Sequence, residues 1–263
     1  MTTLPVWWDD PADGATNMAA DECLAEEALA HGGPVVRIYG WTATTVSLGA
    51  FQPIAAARAE AAIAGAALVR RPSGGGAIVH GSDVTYAAAV PRDHPLGRTP
   101  HAFYTAFHAA LVAELDAMGI AARMCPAGMA AVRGGPDSFF CFDRRAEGDV
   151  VVAAAGREAS AGDPKILGSA QRRLAAAVVQ HGSLLVRGAE GVGPAARHPG
   201  LADLYPAVRE ADARDLVERW LGRVAAGLGG WVEPRPAPCP GGREARIASL
   251  AVTYGTARWL ERR

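Results

Sequence analysis

Lysine is almost missing from this chain. Of its 26 basic residues one is lysine, Lys165, and all the others are arginine. In a background rich in Ala, Gly and Arg, a retained ammonium either survives by chance or does something a guanidinium does not. Lysine is a compact charge whose pKa moves on burial and whose neutral form accepts a proton, whereas arginine is a planar fork that stays protonated. Amides are scarce too, with one asparagine, Asn17, and three glutamines, Gln52, Gln171 and Gln180, marking short segments of the sequence. Cys23, Cys125, Cys141 and Cys239 are scattered, without the paired spacing of a zinc site or a disulfide framework. No metal is expected, and a cytoplasmic protein with reduced thiols is the natural reading. No apolar run approaches the length of a membrane span. Residues 1–10 lack the charged and apolar regions of a signal peptide. A net charge of −1 argues against a dedicated nucleic-acid binder.

What is present is enough apolar sequence, 50% of 263 residues, to bury a substantial core. We read residues 1–263 as one domain. The periodicity predicts a helix over 17–30, capped by Asn17 and stopped by Gly32 and Gly33. Strands are expected at 35–39 and 44–48 and a short helix at 54–64. A strand at 67–71 enters a glycine turn, 77–80 leaves it, and 84–90 pairs next through the turn at 80–83. Phe103, Phe107, Leu111 and Leu115, four apart, predict an amphipathic helix over 102–118. Strands follow at 120–124, 149–154, 166–171 and 177–186. Helices at 212–228 and 245–260 are joined by a proline-rich connector, 234–240. Strand runs joined by short turns and set apart from helical blocks indicate an α+β fold, a mixed β-sheet core flanked by helices.

Three segments are candidates for chemistry. In Arg70-Arg71-Pro72-Ser73-Gly74-Gly75-Gly76, three glycines let backbone N–H groups approach a ligand. The two arginines offer cations for a phosphate or carboxylate, and His80 follows as a donor or as an edge-strand histidine. A plain flexible hairpin turn explains the same residues. Cys141 stands among aromatics ahead of the strand carrying Lys165. If the two side chains face one pocket, the ammonium favours the thiolate, and the pair supplies a nucleophile and a proton shuttle. His181-Gly182-Ser183 interrupts an apolar strand. A mid-strand glycine marks close approach of a ligand or backbone, and His181 either bonds a substrate carbonyl or is a satisfied core histidine.

Taken in order, residues 17–22, 37–41, 47–52, 70–80, 165–172 and 180–185 resemble the lipoate/octanoate branch of the biotin/lipoyl protein ligase superfamily, with a weaker echo from Leu250 through Tyr254 to Trp259. The resemblance covers nearly the whole chain. It implies a mixed sheet flanked by helices and an acyl chain in a tunnel beside the glycine-rich loop. It also implies that the lysine of Lys165-Ile166-Leu167-Gly168-Ser169-Ala170 contacts the acyl carbonyl. The site it implies comprises Cys141 and Lys165 as catalytic residues. Arg70, Arg71, Ser73, Gly74, Gly75, Gly76, His80, Gly168, Ser169, Ala170, His181 and Gly182 would bind substrate.

Two chemistries compete within that branch. Ligases activate free lipoate with ATP. Octanoyltransferases take the acyl group from acyl carrier protein through a cysteine thioester and use no cofactor. The Cys141-Phe142-Asp143 tripeptide resembles the ligase-like octanoyltransferases, as does Val84-Thr85-Tyr86, and the segment lacks the asparagine that ligases carry there. The transferase reading implies acyl carrier protein as donor. Its acceptors would be lipoyl domains, namely glycine cleavage H protein and 2-oxoacid dehydrogenase acyltransferase subunits. It implies a monomer with neutral Lys165 removing the acceptor's proton, while Arg70 and Arg71 steer acidic carriers. The ATP-dependent ligase, octanoyl transfer between lipoyl carrier proteins, and a non-catalytic acyl binder are the alternatives. Two departures stand out: Gly74-Gly75-Gly76 is the ligase-like spelling, and 157–164 lengthens the turn before Lys165.

Overall fold

The computed structural model describes residues 2–128, 138–189, 198–236 and 242–262. Cys239 and the later part of the 234–240 connector lie outside the described residues. In chain order the elements are β1 (Thr2–Trp8), α1 (Gly14–His31), β2 (Val35–Tyr39), β3 (Thr45–Leu48), α2 (Ile54–Ala59), β4 (Ala67–Arg70), β5 (Ile78–His80) and β6 (Asp83–Pro91). There follow α3 (Pro95–Arg98), α4 (Pro100–Ala117), β7 (Ala122–Met124), β8 (Val150–Val152), β9 (Lys165–Arg173) and β10 (Ala177–Leu185). The chain continues with α5 (Leu201–Leu204), α6 (Ala213–Gly227), β11 (Gly230–Arg235), α7 (Glu244–Tyr254) and α8 (Ala257–Glu261).

The strands form an eight-stranded sheet, β11-β1-β2-β6-β10-β9-β8-β7, and a three-stranded sheet, β4-β3-β5. In the large sheet β1 is parallel to β11 and to β2, and the other pairs are antiparallel, which is the mixed sheet expected. Side chains alternate across a strand, and β6 shows how that builds two cores. Tyr86, Ala88 and Val90 join Phe103, Phe107 and Leu111 of α4 and Trp220 and Leu221 of α6 on one face. Ala87 and Ala89 join Met18, Leu24 and Ala28 of α1 and Tyr254 of α7 on the other.

Three local expectations are corrected. Asp13, not Asn17, caps α1, its carboxylate accepting from the Thr16 amide at 3.0 Å. Asn17 lies inside the helix, buried, where its side chain donates to the carbonyls of Ala12 and Gly40. The αL stop at Gly32 is as expected. β5 does not pair with β6: it pairs with β3, and β6 enters the large sheet between β2 and β10. Strands β1 and β11 were absent from the sequence reading, which placed Pro234 in a connector, whereas β11 runs at the sheet edge. Edge strands are where proline is tolerated, so Pro234 fits β11, while Pro5 lies inside β1 between β11 and β2, and the two prolines conceal a parallel pair.

Candidate active site

The glycine run is an arch, not a hairpin. Because β4 and β5 flank β3 on opposite sides, the segment between them must cross the end of β3. There a Cβ on Gly49 would sit 2.0 Å from the Gly75 carbonyl oxygen, and one on Gly76 would sit 2.7 Å from the Cys141 nitrogen. Gly75 has φ +96°, in the region only glycine enters freely. The buried fork of Arg71 holds the arch from beneath. It donates to the carbonyls of Gly74 at 2.9 Å, Gly76 at 2.8 Å and Ser47 at 2.6 Å. Burial pushes the Arg71 pKa down to about 10, still protonated at neutral pH. Arg70 is fully buried too and donates to the carbonyls of Gly49 at 2.7 Å, Gln52 at 2.8 Å and Leu260 at 2.7 Å. Neither guanidinium is on the surface, so the expected steering of carrier surfaces is corrected, while Arg71 also lines the cavity. Both fix backbone.

Cys141 leads onto a short 3-10 turn, Cys141–Asp143, and its amide is bonded to the Ala77 carbonyl at 2.8 Å, just past the arch. Its sulfur lies 3.5 Å from Lys165 Nζ. Lys165 opens β9 and passes over Gly168, where a Cβ would meet its Cε at 2.4 Å and its Nζ at 2.6 Å. The ammonium is buried and ion-paired with Asp149 Oδ2 at 2.7 Å. Burial alone disfavours the ammonium, but Asp149 and then Cys141 outweigh it and hold the Lys165 pKa above the ordinary lysine value. The neutral proton-accepting lysine expected from the sequence is therefore not the resting form. Asp149 went unnoticed because nothing in Gly148-Asp149-Val150 distinguishes it.

The extra loop before Lys165 is folded back on itself. Asp163 is buried and accepts from the Ser160 amide at 2.7 Å and from Arg157. Arg145 donates to the Asp163 carbonyl at 2.8 Å and to the Phe142 carbonyl at 2.8 Å. The loop thus ties the Cys141 turn to the root of β9 instead of tilting Lys165 away.

Cys141 opens onto a cavity between the large and small sheets. Gly74, Gly75, Arg71, Gly168, Ala170, His181 and Gly182 line it near the cysteine, and Met18, Tyr39, Trp41, Ile78, His80 and Thr85 line the remainder. Tyr39, Thr85, Ser183 and Gly168 are register partners on four successive strands, so the cavity spans roughly 14 Å at about 4.8 Å per strand.

Three buried relays surround it. Ser73 is bonded to His181 Nε2, and His181 Nδ1 lies 3.3 Å from Asp21 Oδ2, which also accepts from Tyr39 at 2.8 Å. Arg37 steadies Asp21 at 3.0 Å. Ser47 meets His80 Nε2 at 2.8 Å and His80 Nδ1 meets Asp83 at 2.8 Å, with Trp41 stacked on the imidazole at 4.0 Å. Burial pushes the Asp83 carboxyl up, yet His80 and Ser183 together hold it below the ordinary carboxylate value. The third relay starts at Ser169, which lines the cavity beside Gly168 and Ala170: its hydroxyl bonds Tyr86 at 2.7 Å and His108 Nε2 at 2.7 Å. Burial pushes the His108 pKa down to about 4, so this imidazole is neutral. His108 and Tyr86 were missed, His108 because a lone histidine on a helix gives no signal.

A family profile for the lipoyl protein ligase A/B catalytic domain matches residues 13–192. The chain belongs to this family. The octanoyltransferase LipM of Moorella thermoacetica is 31% identical over 96% of this chain and 95% of its own length. That of Carboxydothermus hydrogenoformans is 34% identical over 66% of this chain and 61% of its own length. Among solved structures, lipoate-protein ligase A bound with ATP superposes with a TM-score of 0.67 at 18% identity, covering 99% of both chains. A lipoyl protein ligase family member thus has a cavity, a glycine arch, a cysteine and a lysine assembled around one opening. Of the fourteen residues expected at the site, Arg70 stands apart as a brace outside the cavity wall, and Ser73 lies behind His181.

Proposed function

We propose that this acyltransferase moves an octanoyl group onto a lysine of a lipoyl domain through a thioester on Cys141. The sequence relationship to octanoyltransferases over nearly the full chain supports octanoyl transfer in protein lipoylation. The observation that carries the cysteine mechanism is the Cys141 sulfur 3.5 Å from the Lys165 ammonium at the wall of the cavity. An eight-carbon chain extends about 10 Å at roughly 1.25 Å per zigzag bond, a length shorter than the four-strand wall of the cavity. Cys141 attacks the thioester carbonyl of an acyl carrier protein as a thiolate. Its S–C bond forms, the donor C–S bond breaks, and the carrier thiolate leaves with the electron pair and takes a proton from solvent. The ammonium of Lys165 faces the charge that develops. Backbone N–H groups of the arch at Gly74 and Gly75 supply donors, each worth about 3–4 kcal/mol when aimed at an oxyanion. Asp149 keeps Lys165 charged, so in this reading the lysine is an electrostatic partner throughout.

The acceptor class is a lipoyl domain, and no nucleotide is needed. The test is intact-protein mass spectrometry after mixing with octanoyl acyl carrier protein. We expect one octanoyl adduct on the wild-type chain, removed by Cys141→Ala together with transfer to an apo lipoyl domain. Full transfer by the alanine variant, or modification that requires ATP and free octanoate or lipoate, would replace this mechanism with the ligase reaction.

A further inference from the structure

We infer that Phe51 is the apolar anchor on which the acceptor lipoyl domain docks, at the rim of the opening to Cys141. The inference rests on the thioester reading above and names the surface that its second half-reaction uses. Phe51 is 80% exposed, more than any other large apolar side chain among the described residues. One exposed apolar side chain is ordinary on a protein surface; its place singles this one out. A Cβ on Gly74 would sit 3.8 Å from the Phe51 ring, and Gly74, Gly75 and Cys141 line the cavity together. Gly75 is exposed, and Gly74 and Cys141 are half-buried. The cavity therefore meets solvent along this part of the arch, with the ring beside it.

The backbone under the ring is fixed. The Gln52 side chain accepts from the Gly49 amide at 2.9 Å and donates to the Phe139 carbonyl at 2.9 Å, two residues before Cys141. Arg70 holds the carbonyls of Gly49 and Gln52 from the other side. A ring presented on so constrained a turn has little freedom left to lose on binding. Its surroundings are neutral as well. Residues 49–57 carry no charge, Pro53, Ala55 and Ala56 are exposed, and the next charge, Arg58, is paired with Glu261 at 2.6 Å. The centres of protein interfaces are poor in charge and rich in aromatic side chains.

Reach decides between the two carriers. The donor presents its thioester at the end of a long flexible prosthetic arm, so its protein body stands off from the rim. The acceptor presents a lysine, whose five bonds from Cα to Nζ span about 6 Å at roughly 1.25 Å each. For that nitrogen to meet the acyl carbon on Cys141, the acceptor backbone must come down onto the rim itself. Phe51 then packs against apolar side chains beside the acceptor lysine. The ring takes no part in making or breaking bonds, so its contribution lies in binding the acceptor.

The test separates docking from chemistry. Octanoyl acyl carrier protein is mixed with the enzyme to load Cys141, apo lipoyl domain is added over a range of concentrations, and adduct mass is followed in single turnover. For Phe51→Ser we expect loading and the saturating rate of discharge to match wild type. Half-saturation should need about 10-fold more lipoyl domain, as for the loss of an interface anchor. Phe51→Leu keeps apolar area and should bring half-saturation back to within about three-fold of wild type. Hydroxylamine, an amine too small to touch the rim, should discharge all three proteins equally, which also reports a folded site. The inference is overturned if half-saturation for Phe51→Ser stays within about three-fold of wild type, if the saturating rate falls instead, or if loading falls in step with discharge. An absence of adduct on the wild-type protein instead overturns the thioester reading itself.

Discussion

Asp149 shows how a single unremarked carboxylate sets the state of the only lysine. Lys165 and Asp149 are 3% and 2% exposed, and a buried pair that loses one partner is typically weakened by about 3–5 kcal/mol. The Lys165 pKa is raised in the folded chain, so its contribution to stability is complete below the unfolded lysine value of about 10.4. It is lost as pH rises through the higher folded value. We expect Asp149→Asn to lower the urea midpoint at pH 7, and to flatten the decline in stability that the wild type shows above about pH 10.4, both read from denaturation curves across pH. The same variant should load octanoate more slowly, because the ammonium loses the partner that fixes it. Cys141 and Lys165 were legible in the sequence because a lone lysine and a cysteine among aromatics are rare here. Asp149 is one of 27 acidic residues, and only the fold distinguishes it. Arg70 misled for the converse reason, since arginine beside glycines reads as a ligand cation until burial shows where its donors point.

The elements around the site act through close packing more than through their chemistry. Gly168 gives way to the Lys165 side chain, and Gly76 lets the arch touch the Cys141 backbone. Gly168→Ala would place a methyl within 2.6 Å of Nζ, forcing the ammonium off the sulfur. A displacement on the order of 1 Å in a catalytic group can cost about 10²-fold. We expect loading by Gly168→Ala to fall by about that factor while the thermal midpoint moves little, a split that steady-state kinetics and calorimetry together would show. Strand positions were largely legible, since β2 fell where expected and β9 and β10 within two residues. Sheet membership was not. Residues 78–80 and 83–91 are separated by only a turn, and local pattern cannot say that they belong to different sheets.

At the scale of the molecule, the last helix braces the centre. Trp259 of α8 donates to the Arg70 carbonyl at 2.9 Å, and the Arg70 side chain returns the contact at Leu260. The last helices thereby hold β4 and the start of the arch. Arg70→Met would strip donors from the carbonyls of Gly49, Gln52 and Leu260, and a buried carbonyl left unpaired costs about 1–3 kcal/mol. We expect a loss of about 2–5 kcal/mol by urea denaturation, with activity at low denaturant reduced less than in Gly168→Ala. The fold class was legible because apolar periodicity is a whole-chain property. The β1–β11 pair was not, because its partners are far apart in sequence and each carries a proline.

That pairing bears on how the protein comes into being. β1 sits between β2 and β11, and its outer partner, Gly230–Arg235, leaves the ribosome long after it does. Throughout synthesis of the intervening segment, a strand carrying Leu4, Val6 and Trp7 presents unpaired backbone on the growing chain, the kind of exposed edge that recruits a second molecule. A nascent chain stalled before residue 230 thus leaves that side of β1 open to a second molecule, and the emergence of β11 covers it.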